Sequence, residues 1–129
     1  HLFTVDDLHY LHNGGRLSKS AAVLGSIINI KPILFVDNNG ELKLADKVRG
    51  RKKSLLYLIS KTISDISPHG KDIVMISHCD CEEDAMYIYS HLKENIDIKE
   101  IMVNQIGPTI GSHSGPGTLA VYYESSSRE

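Results

Sequence analysis

The run IKPILFVDNNGELKLADKVR, residues 30–49, constrains the fold of this chain more than any other stretch. Two extended, apolar-rich segments flank DNNG at residues 37–40, and Asn, Asp and Gly tolerate the backbone conformations a tight reversal requires. A β-hairpin is therefore predicted, with Pro32 tolerated near a strand start or on an edge. A hairpin needs a sheet to join and a covering layer, so the rest of the chain is read for both.

Leu55, Leu58, Ile59, Thr62, Ile63 and Ile66 recur at helical spacing from Lys52 to Ile66, and SPHG ends that helix. KDIVMISH is a short continuous apolar strand. Asp80 and Glu83 are expected to cap a helix carrying Ala85, Ile88, Tyr89 and Leu92 on one side. IKEIMVNQI and TLAVYYE read as two further strands, and the segment between them, with four glycines and two prolines over residues 107–117, reads as a loop.

At the start, Thr4 is expected to cap a helix over residues 5–12, with Asp6 and Asp7 in its first turn and HNGGR ending it. A second helix is predicted after Ser18, carrying Ala21, Ala22, Leu24 and Gly25 toward a neighbour. Together these elements predict an α/β (α+β) domain, a single mixed and largely antiparallel sheet with helices packed on it.

Length and charge bound what such a domain does. The 129 residues suffice for one domain, and with no Trp and 6% aromatics the core must be aliphatic. Fourteen basic against sixteen acidic residues, a formal charge of -2, argue against a general nucleic-acid binder. No apolar run approaches the roughly 18 residues of a membrane span and no leader pattern opens the chain. A cytoplasmic protein without stable membrane insertion is expected. Cys79 and Cys81, one residue apart, fit reduced thiols. His1 stands where a Met would open a complete chain, which suggests a piece of something longer.

Four stretches hold chemistry-bearing residues. In IGSHSGPG, residues 110–117, Ser112, His113 and Ser114 supply hydrogen-bond donors among glycines that let a ligand approach the backbone. An anion such as a carboxylate or phosphate fits that donor set; a plain turn between strands fits the glycines equally well. Arg16 in GGRLSKS precedes a predicted helix start, where an anion is favoured, although a solvated turn arginine is the simpler reading. KVRGRKK, residues 47–53, is basic at five of seven positions, which suits an anionic ligand, an acidic partner or plain solvation. SHCDCEED contains ligand-type residues but only half a zinc site, so no metal or other cofactor is expected. GSHSG lacks the central nucleophile of a hydrolase elbow.

Taken in order, LHNGGRLSKSAAVLGSIINIKPIL, GELKLADKVRGRKKSL and IGPTIGSHSGPGTLAVYY resemble the carboxy-terminal domain of the DegV family of bacterial fatty-acid-binding proteins, over nearly the whole chain. The resemblance implies a DegV-like carboxy-terminal domain over residues 1–129 without its amino-terminal domain. It implies a long-chain fatty acid held between two domains and, in some members, presented to a partner fatty acid kinase that forms the acyl phosphate used in phospholipid synthesis. His113 would then be the head-group histidine, flanked by Ser112 and Ser114 where Thr is commoner. Arg16 and Arg49 would lie on the acyl-phosphate or kinase-facing side. Leu24, Ile27 and Ile28 are expected to help line the tail cavity. On this reading the protein is a carrier and no catalytic residue is expected. The alternative is an enzyme or binding protein for a small carboxylated or phosphorylated metabolite, with His113 as general acid or base.

Overall fold

A computed structural model describes residues 1–17 and 29–126. The helix predicted after Ser18, with Leu24, Ile27 and Ile28, lies outside the described residues. The strands are β1 (Leu2–Thr4), β2 (Ile30–Val36), β3 (Leu42–Arg49), β4 (Ile73–His78), β5 (Glu100–Gln105) and β6 (Leu119–Tyr122). The helices are α1 (Leu8–Asn13), α2 (Arg51–Asp65), α3 (Glu82–Asn95) and α4 (Pro108–Ser114). The strands form one sheet in the order β3-β2-β1-β6-β4-β5, antiparallel at every pairing except β4 with β5. The mixed, largely antiparallel sheet is as predicted.

The hairpin forms where DNNG requires it. Asp37 accepts hydrogen bonds at Oδ1 from the amides of Asn39 and Glu41, each at 2.9 Å, and Gly40 takes φ +80°. These donors, Glu41's first, hold the Asp37 carboxyl below its ordinary range. Pro32 is the third residue of β2, and β1 pairs only with Ile33, Leu34 and Phe35, so its missing N–H interrupts no bond to β1.

Two corrections concern the chain start and α3. Residues 2–4 form a central strand, and Thr4 caps nothing. Leu2, Phe3, Thr4 and Val5 are all buried, a short run that passes between β2 and β6, and the Thr4 hydroxyl donates to the Pro32 carbonyl at 2.8 Å. Helix α1 starts three residues later than predicted, capped by Asp7, whose carboxylate accepts from the His9 amide at 2.8 Å. At α3 the expected Asp80–Glu83 pair is absent. Asp80 takes φ +52° and Cys81 occupies the cap without a side-chain bond, leaving Glu82, Glu83 and Asp84 in the positive first turn.

The two faces of the sheet are covered differently. On one, Leu55, Leu58 and Ile59 of α2 and Ala85, Ile88 and Leu92 of α3 close over Leu2, Ile33, Val74, Ile76, Leu119 and Val121. On the other, Leu8 and Leu11 of α1 pack on Phe3, Leu34 and Ala120. Arg51 ties the edge together: its Nε donates to Asp84 at 2.8 Å, and its Nη1 reaches Asp6 at 3.5 Å.

Candidate functional site

The segment IGSHSGPG is not the loop predicted. It is mostly helix α4, with Pro108 at the first helical position, Gly107 before it and Gly115 after it at φ +83°. Proline at a helix start and glycine just past its end are the terminal signals of a helix, and here they override the poor helix propensity of the residues between. α4 lies beside α1, and Gly115 sits against Tyr10 where they meet. A Cβ there would sit 2.5 Å from the Tyr10 ring, so glycine is required by both conformation and space.

This packing opens a cleft of about 320 Å³ on the second face of the sheet. Its floor and walls include Phe3, Leu11, Val36, Leu42, Ile110, Ala120 and Tyr122, and its polar residues include Arg16, Thr109, His113, Ser114 and Thr118. Alternation explains the floor: Leu119 and Val121 point to the closed core, which leaves Ala120 and Tyr122 for the cleft. The same face continues past the cleft, where Tyr122 pairs with Met75 and Met75 with Met102; both methionines are exposed.

His113 is half-buried, and its Nδ1 lies 2.6 Å from the Thr109 carbonyl. A carbonyl only accepts, so Nδ1 carries the proton and Nε2 is the nitrogen left for a ligand. The two serines are occupied differently from the sequence expectation. Ser112 is exposed and donates to the Thr109 carbonyl at 3.0 Å; buried Ser114 donates to the Ile110 carbonyl at 2.9 Å. Each hydroxyl hydrogen is thus committed to the helix, and its free lone pairs accept.

Arg16 is exposed at the mouth of the cleft, its Nη1 donating to the Gly14 carbonyl at 2.6 Å. The fold therefore brings Arg16, His113 and Ser114 to one cleft from positions almost a hundred residues apart. Arg49 ends β3, paired with Ile30 and exposed, and is not part of the cleft lining. Phe3, Leu42, Thr109 and Tyr122 were not singled out by sequence; the alternation of TLAVYYE was the signal for Tyr122, while Phe3 was hidden by reading its segment as a helix lead.

At SHCDCEED, no group of three or more ligand-type side chains that could hold a metal occurs among the described residues. Burial pushes the Cys81 thiol above its ordinary value, which opposes reactivity there. Among the described residues no helix is long and apolar enough to cross a membrane.

Comparison with known proteins gives a consistent result. A family model, described as uncharacterised proteins of the DegV family, matches residues 1–126. A DegV domain-containing protein of Clostridium perfringens is 43% identical over 129 residues, 100% of this chain and 44% of that protein. The structure of a fatty-acid-binding DegV family protein from Streptococcus agalactiae is 29% identical with a TM-score of 0.81, covering 93% of this chain and 42% of that one. A DegV family structure from Ruminococcus gnavus with vaccenic acid is 30% identical with a TM-score of 0.79, covering 93% and 42%. The chain spans less than half the length of these relatives.

Proposed function

This chain belongs to the DegV family, and on that premise we propose that it is the carboxy-terminal, head-group side of a fatty-acid site completed by a preceding domain. The observation that carries the reading is that Arg16 and His113 line one cleft together with the apolar side chains of Phe3, Leu11, Val36, Leu42 and Ile110. An apolar wall suits an acyl tail, and burying about a dozen methylenes at roughly 0.8 kcal/mol each is worth on the order of 10 kcal/mol gross. A cationic guanidinium and an imidazole nitrogen suit a carboxylate, which needs fixed partners when its water is removed.

His113 binds the carboxyl through Nε2, sharing one proton between ring and acid, because Nδ1 is engaged by Thr109. Ser112 and Ser114 join as donors only if their hydroxyls turn away from the helix carbonyls they now serve. Their part is to hold α4 in shape before the ligand arrives. Exposed Arg49 and the neighbouring KVRGRKK lysines form a surface that would dock a fatty acid kinase, so the protein acts as a cytoplasmic carrier and the kinase makes the acyl phosphate.

The intact protein, purified and analysed by native mass spectrometry with extraction of released material, tests the core of this reading. A co-purified long-chain fatty acid supports it, and its absence together with failure to take up oleic acid overturns it. Arg49→Glu then tests the second part: it should abolish acyl phosphate formation by added kinase while oleic acid binding stays unchanged. Equal loss of both would remove Arg49 from the docking surface.

A further inference from the structure

We propose that Gly14 is a positioning residue for His113, and that its backbone couples His113 to Arg16 in the cleft. The adjacent glycines of HNGGR have different reasons to be glycine. Gly15 takes φ +74°, where a side chain is strained, and no heavy atom lies within 4 Å of the place a Cβ would occupy. Gly14 takes φ -76° and ψ -1°, a conformation open to any residue. What chiefly excludes a side chain there is His113: a Cβ on Gly14 would lie 2.6 Å from the ring's Cδ2 and 3.3 Å from its Cγ, with the Tyr10 carbonyl oxygen also at 3.3 Å.

The ring has little freedom to yield. On one side it lies against the bare Cα of Gly14, and on the other its Nδ1 is bonded to the Thr109 carbonyl at 2.6 Å. Cδ2 is bonded to Nε2, so the edge that meets Gly14 is the edge that carries the ligand-facing nitrogen. Turning away from a methyl group at residue 14 breaks the Thr109 bond, releases Nδ1 and ends the selection of one tautomer. Gly14 also fixes Arg16, through the 2.6 Å bond from Nη1 to its carbonyl. One residue thus sets the spacing between guanidinium and imidazole without presenting a side chain to the ligand.

This inference rests on reading His113 as the head-group ligand, but its first test does not. Long-range proton–nitrogen correlation spectra of the intact protein, labelled on histidine nitrogen and recorded at about pH 8.5, report the ring tautomer directly. Wild type is expected to show His113 protonated at Nδ1. Gly14→Ala is expected to shift it to a mixture of tautomers and to weaken oleic acid binding about tenfold. Gly15→Ala, strained but remote from the ring, is expected to lower Tm while leaving the His113 signals unchanged.

An unaltered His113 tautomer in Gly14→Ala would overturn the positioning role. A changed tautomer with unchanged oleic acid affinity would support the positioning role and remove His113 from the head group instead. Should Gly14→Ala fail to fold, the double variant Gly14→Ala/His113→Ala decides: recovery of folding on removal of the ring supports the contact, and continued failure overturns it.

Discussion

The two faces of this sheet are built to different ends from one set of strands. Under α2 and α3, helices of 15 and 14 residues, the strands meet a closed aliphatic layer in which Leu58, Ile88 and Leu92 have no accessible surface. On the other face, among the described residues, the covering helices α1 and α4 have 6 and 7 residues, and Ile110 remains 63% exposed. Long amphipathic helices fill the first face with side chains. On the second, glycines let backbones approach, so the helices stand close to each other and leave space beside them. The contrast shows how alternation along a strand lets one sheet secure the fold on one face and offer a cleft on the other.

The largest effect that would sharpen this contrast is on the closed face. Leu58→Ala or Ile88→Ala removes a fully buried side chain from a packed layer and should cost about 2–5 kcal/mol in urea unfolding. Neither lines the cleft, so oleic acid affinity of the folded intact protein should not change. A loss of affinity matching the loss of stability would break the division between faces. Next comes Gly115→Ala, which forces a side chain into positive φ and against the Tyr10 ring at 2.5 Å. About 1–3 kcal/mol of destabilisation is expected, with weakened oleic acid binding as well, because α4 must move. Here stability and binding fall together, the mark of the open face.

Much of the closed face was legible in the sequence, because its signals are periodic. Leu55, Leu58 and Ile59, and then Ala85, Ile88 and Leu92, repeat at helical spacing, and DNNG announces the hairpin. The open face is written in shorter signals that compete with stronger ones. Leu2 to Val5 is too short to show alternation, and Asp6 and Asp7 behind it resemble a helix first turn, so the central strand was read as a helix start. In α4, glycine, serine and histidine read as loop until Pro108 and Gly115 are taken as a start and a stop. His113, Ser114 and Arg16 were singled out by residue type, yet their convergence depends on α1 packing against α4. No local pattern encodes that contact except the glycines Gly14 and Gly115, whose purpose appears only when their neighbours are known.

Smaller again is Met75→Ser on the open part of the second face, beyond the cleft. Met75 is 43% exposed, so unfolding of this chain should change by no more than about 0.5 kcal/mol. A cost near that of Leu58→Ala would mean that this surface is packed as tightly as the other.

The smallest effect belongs to the hairpin tip, whose Val36, Gly40 and Leu42 line the cleft. Asp37 holds that tip by accepting two backbone amides, and its carboxyl is lowered from the ordinary value of 3.8, first by the Glu41 amide. A folded-state pKa below the unfolded one means that the charged form is the one the fold prefers. Its contribution is therefore fully present above the ordinary value and disappears as pH falls through the lowered one. Asp37→Asn keeps an acceptor oxygen but removes the charge that these amides and Lys43 favour. The variant should unfold at slightly lower urea concentration than wild type at about pH 7, and the gap should narrow as pH falls through the lowered carboxyl value. A gap that does not narrow with falling pH would mean that the tip is held by the geometry of DNNG alone.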